Sequence, residues 1–176
     1  MLTSWILSLM VLLQPTAPWS ESYASTAAAI DQVVAEEPSL FTDDHEGRAK
    51  TAAVLVALAW FESNFKRNAS SAHGKLRGLY QVGGHGDQSD PVKATRIALE
   101  MMRESFQKCR ARPIPDRLAF YTGGNCRAPS ADALEKSRAR VGKGLWLAKH
   151  HPPPPAPPPP RSTSTIADIA DAGAAE

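Results

Sequence analysis

The run Ala52 to Phe61 (AAVLVALAWF) is apolar on nearly every face of a helix, and this constrains the chain more than any other stretch. Asp43 and Asp44 stand ahead of it as N-cap residues, so the spacing predicts a helix from about Glu46 to Phe61. Such a helix must be covered all round. It is too short for the roughly 20 residues that a bilayer span needs, so the covering has to come from the rest of this chain.

The flanking sequence supplies that cover mainly as further helices. Pro18 and Ser20 are start signals for a helix carrying Trp19, Tyr23, Ala27, Ile30 and Val34 at helical spacing. Asp90-Pro91 opens another, to about Lys108, with a core face of Val92, Ile97, Met101, Met102 and Phe106. A short helical stretch is predicted over 116–121 and a last helix from Ser130 to Ala148. Residues 63–88 are rich in Gly, Ser, Asn and His and read as loop, with one short strand at Leu79 to Val82. The expectation is a mainly α fold of five helices: a single helical domain over 18–149 with a short strand or hairpin. A length of 176 residues suits one such domain plus appendages.

The two ends read differently. Residues 1–17 are a hydrophobic segment whose core, Met1 to Leu13, is either an export signal ending at Ser22-Tyr23-Ala24 or a retained arm that associates with a membrane. Residues 150–176 begin as a polyproline II spacer and end in Ala/Asp low-complexity sequence, a disordered tail suited to a protein partner.

A net charge of +2 conceals an uneven distribution. Residues 1–45 carry six acids and no Lys or Arg, whereas residues 46–149 carry 19 Lys plus Arg against nine Asp plus Glu. The middle of the chain is therefore basic and suited to a polyanionic partner. The run Lys136, Arg138, Arg140 and Lys143 reads as a solvated helix face drawn to anionic polymers, and no base-reading motif supports nucleic acid. Cys109 and Cys126 are too few for a zinc site; they are either one disulfide or two buried thiols. His150-His151 lacks further ligands at metal spacing, Gly83 to Gly86 fits no phosphate loop, and no metal or other cofactor is expected.

Glu62 ends the apolar helix and is followed at once by a polar loop. Burial beside Trp60 and Phe61 would disfavour its charged form and suit it to donate a proton, the device the lysozyme active site uses. Taken alone, it more readily marks the point where a helix reaches water. Three further motifs follow in order: Glu62-Ser63-Asn64-Phe65 leads to Asn68-Ala69, then to Gly78-Leu79-Tyr80-Gln81, and later to Ala119-Phe120-Tyr121-Thr122-Gly123-Gly124.

In this order the chain resembles the lytic transglycosylase and goose-type lysozyme-like superfamily over residues 46–149. Tyr80 stands where that family has Met, Thr122 where it has Asn, and the stretch from Glu62 to Gln81 is about one residue longer. The resemblance implies an α+β lysozyme-like fold with its strand or hairpin by the cleft. It implies that Glu62 is the general acid, and then the base, in cleavage of peptidoglycan between N-acetylmuramic acid and N-acetylglucosamine. Ser63, Gln81 and Tyr121 would orient Glu62 and hold the sugar, with Tyr80 and Thr122 beside them. Many glycosidases need a second carboxylate, and here only Asp87 and Asp90 offer one, Asp90 being better explained as a helix cap. A missing partner is what a transglycosylase closing a 1,6-anhydro ring requires. A hydrolytic muramidase, and a non-catalytic wall-binding or virion protein, are the alternatives. The expected setting is a cell envelope or a phage particle.

Overall fold

In a computed structural model, residues 2–15, 21–70, 76–84, 88–156 and 158 are described. They form six α-helices and one antiparallel hairpin, which is the mainly helical architecture the periodicity implies. The helices are α1 (Thr3–Leu13), α2 (Glu21–Glu36), α3 (His45–Ser63), α4 (Pro91–Lys108), α5 (Ala119–Gly123) and α6 (Ala131–His150). A 3-10 turn, Ile114–Asp116, precedes α5. The hairpin pairs β1 (Leu76–Arg77) with β2 (Val82–Gly83). Pro18, Ser20, Trp19, His85, Asp87 and the Ala/Asp end of the tail lie outside the described residues.

The caps act where the sequence places them. Asp44 accepts from the Gly47 N–H, Asp90 from Val92 and Ser130 from Ala133, each satisfying an amide that the first turn of a helix leaves unpaired. The stretch Leu79–Gln81 is not strand, as the sequence suggests, but the turn between β1 and β2. Gly78 (φ 79°) and Gln81 (φ 48°) adopt left-handed backbone at its corners, which closes a hairpin rather than extending a strand.

Helix α3 is the axis of the core, with every residue from Thr51 to Ala59 buried. Helix α6 runs antiparallel along it: His45 at the start of α3 meets the Pro154 carbonyl beyond α6, and Glu62 at its end meets Arg140. Between these points the two backbones nearly touch at Gly144, where a Cβ would stand 2.5 Å from the Val54 Cα. Only glycine permits that approach.

The hydrophobic segment at the start of the chain forms α1, a helix additional to the five expected. Its Ile6, Leu9 and Met10 are fully buried in the same cluster as α2 and α3. Asp31 of α2 caps it from outside, accepting from the Leu2 and Thr3 amides and the Thr3 hydroxyl. The Trp5 indole donates to the His151 carbonyl at 2.7 Å, tying α1 to the end of α6. Among the described residues no helix is long and apolar enough to cross a membrane.

The Gly144 contact makes a direct prediction. Gly144→Ala should lower stability by about 1–3 kcal/mol through overpacking, although alanine is the better helix former. Chemical denaturation measures it, and an unchanged or higher stability would show that α6 can move off α3 freely.

Candidate active site

The carboxylate of Glu62 occupies the last turn of α3, and the chain then reverses through two left-handed residues, Asn64 (φ 50°) and Phe65 (φ 62°). Gln81 completes the set of described non-glycine residues with positive φ, so all three border one region. Such backbone is strained and survives only where packing holds it. Here the hold is visible: the Phe65 ring is buried edge-on against Tyr23, centroids 5.4 Å apart.

The turn carrying Gln81 is pinned from three helices. Ser63 is buried, and its hydroxyl lies 3.0 Å from the Ala59 carbonyl and 2.7 Å from that of Leu79, its one proton serving either. Tyr80 is wholly buried, with its hydroxyl 3.2 Å from that of Thr95 on α4. Tyr121 on α5 donates to the Tyr80 carbonyl at 3.2 Å, while its own amide donates to Ser105 of α4. Together these bonds set a cleft of about 270 Å³ lined by Glu62, Gln81, Met101, Tyr121, Thr122 and Arg140, with the hairpin forming one wall.

The sequence-predicted residues therefore divide. Glu62, Gln81, Tyr121 and Thr122 line the cleft, with Gln81 steadied by a bond from its amide to the Gly78 carbonyl. Ser63 and Tyr80 do not: both face inward and hold the turn, so they shape the site without contacting what enters it. Thr122 lines the cleft, yet its hydroxyl is directed to backbone carbonyls, the shortest being Ala133 at 2.8 Å. That bond secures α5 against α6. Cys109 and Cys126 form a disulfide, which joins the end of α4 to the loop after α5 and so brackets Tyr121.

Two expectations about charge need correction. The apolar pocket foreseen around Glu62 does not form, because Phe61 is 41% exposed and Trp60 packs against Phe61 rather than over the carboxylate. The group against Glu62 is Arg140, whose Nε and Nη2 both approach Oε1, at 2.9 and 2.7 Å. Nor is the basic run on α6 a uniformly solvated face: Arg140 is only 9% exposed and Arg138 is paired with the buried Asp116. A usable signal existed, since Arg140 shares the helical spacing of Ser137, Gly144 and Leu147, all of which are buried.

Burial, and after it the negative charge of Glu62, push the Tyr121 phenol well above its ordinary range, with Arg140 pulling the other way. Tyr121 therefore remains a protonated donor at any pH the protein would meet. Glu62 is the only carboxylate lining the cleft among the described residues, since Asp90 is engaged as a cap and Asp87 lies outside them. No cluster of metal-ligating side chains is present among the described residues.

Beyond the hairpin lies a larger groove of about 660 Å³, lined by Arg67, Asn68, Ser70, Arg77 and Gln88. Two arginines of the basic middle segment, Arg67 and Arg77, thus stand in this groove. The chain matches no family model, no curated protein and no solved structure.

If Ser63 acts only by holding the turn, Ser63→Ala should cost about 1 kcal/mol of stability and leave the affinity for any cleft ligand within about twofold. Thermal unfolding and ligand titration read the two separately. A large loss of affinity at unchanged stability would place Ser63 in contact with ligand.

Proposed function

We propose that the protein is a peptidoglycan lytic transglycosylase, with Glu62 as its single general acid and base. One observation carries this reading: the one carboxylate lining the cleft among the described residues stands at the end of a buried helix, facing the Gln81 turn, Tyr121 and Arg140. The ordered motifs around Glu62, Gln81 and Tyr121 support it, as does the basic character of residues 46–149, which suits an anionic glycan polymer.

In the proposed reaction Glu62 protonates the oxygen joining N-acetylmuramic acid to N-acetylglucosamine, and that C–O bond breaks. The N-acetyl group of the substrate supports the oxocarbenium-like centre, as in the family the chain resembles. Glu62, now a carboxylate, takes the proton of the C6 hydroxyl, whose oxygen bonds to C1 and closes a 1,6-anhydro ring. No water is consumed, so no second carboxylate is needed to activate one. Tyr121 and Gln81 hold the sugar so that these atoms meet.

A second reading is favoured by Thr122, whose hydroxyl is engaged with the backbone: a wall-binding protein of this shape without turnover. Glu62→Gln separates the two. Under the proposal this variant loses about 100- to 10,000-fold in wall lysis, the usual contribution of general acid catalysis, and still binds glycan. Wall lysis that survives in the variant, or is absent from the native protein, rejects the mechanism. Mass spectrometry of digested wall should show 1,6-anhydromuramic ends, and reducing ends alone would make the protein a hydrolytic muramidase instead.

A further inference from the structure

Resting on the reading of Glu62 as the acid and base, we infer that Arg140 is its positioning residue, fixing which carboxylate oxygen exchanges the proton. The inference starts from an electrostatic misfit. Glu62 lies in the last turn of α3, where the helix dipole places partial negative charge, so a carboxylate there is unfavourable by itself. Arg140 is the group that offsets this, across the boundary between α3 and α6.

The contact geometry goes further than charge neutralisation. Nε of Arg140 donates to Oε1 and Nη2 stands 2.7 Å from the same oxygen as an ion-pair contact, so both nitrogens of one rigid plane converge on Oε1. Oε2 has no hydrogen bond among the described residues. Oε1 is thus occupied, and Oε2 is the oxygen left to give and take a proton. Arg140 is itself fixed: Nη1 donates to the Lys136 carbonyl one turn earlier, and its guanidinium lies 5.5 Å from the centre of the Phe61 ring. Its side chain is 11% exposed, against 19% for Glu62, so water competes little for the pair. This also gives Phe61 a role, as the ring beside the guanidinium.

Arg140 also lines the cleft, so the split between kcat and KM separates the two roles: a side chain that orients the acid should act on turnover and not on binding. Arg140→Ala should lower kcat by about 100-fold, the scale of a small misplacement of a catalytic group, with KM within about threefold. Arg140→Lys should remain well below the native kcat, because an ammonium is a point charge without the planar fork. Guanidinium at millimolar concentration should restore a substantial part of the kcat of Arg140→Ala in a saturable way, and should do nothing for Glu62→Gln. A purely structural role for Arg140 would not respond to that addition.

Circular dichroism and thermal unfolding show which variants are folded. If Arg140→Ala does not fold, Arg140→Lys and Arg140→Gln carry the test through their kcat and KM. Turnover within threefold of native in any folded Arg140 variant overturns the inference, as does a loss expressed wholly in KM. Glu62→Gln run alongside keeps the two ideas apart: activity there rejects the functional reading itself, whereas an inactive Glu62→Gln with a fully active Arg140→Ala rejects the positioning role alone.

Discussion

Everything in this structure depends on α3 being enclosed. A helix without a polar face is stable in water only if its neighbours cover it on all sides, and here α1, α2, α4 and α6 do so. The closest cover comes from α6, where Gly144 lets one backbone rest on the other at Val54. Because the two helices run antiparallel at this short distance, the end of α3 is delivered to the first half of α6. The site lies at that junction, so the enclosure of the helix and the placement of Glu62 have one cause.

The polar groups of the site fall into two roles separated by burial. Ser63, Tyr80 and Thr122 direct their hydroxyls to inward partners, fixing the turn and α5. Gln81, Tyr121, Arg140 and Glu62 line the cleft that those bonds shape. The strained backbone at Asn64, Phe65 and Gln81 belongs to the same arrangement. Such conformations persist only where surrounding contacts compensate for them, and the buried Phe65 ring and the Ser63 bond to the turn supply those contacts.

Helix existence was legible because apolar spacing and caps are local properties. Asp44, Asp90 and Ser130 each stand at the N-cap their sequence context implies, and the buried positions Tyr23, Ala27, Ile30 and Val34 follow the spacing on α2. The segment Leu79 to Val82 departs from the expected strand for the converse reason. Its hairpin turn needs left-handed backbone at Gln81 as well as at Gly78, and Gln81 is a non-glycine residue that gives no such signal in sequence. The N-terminal segment showed its hydrophobicity in sequence, but its destination against α2 and α3 depends on contacts such as those with Asp31 and His151, distant along the chain.

By itself, then, the sequence determined a mainly helical chain around one apolar helix, with Glu62 at that helix's end and Gln81 and Tyr121 in its company. Tertiary structure alone decided what faces the carboxylate. Spacing along a chain reports which residues share a helix face, but not which face of another helix they meet. The pairing of Glu62 with Arg140 spans 78 residues and exists only because α6 packs antiparallel on α3. For the same reason an arginine that looked like one of a row of surface charges proved to be the inward one.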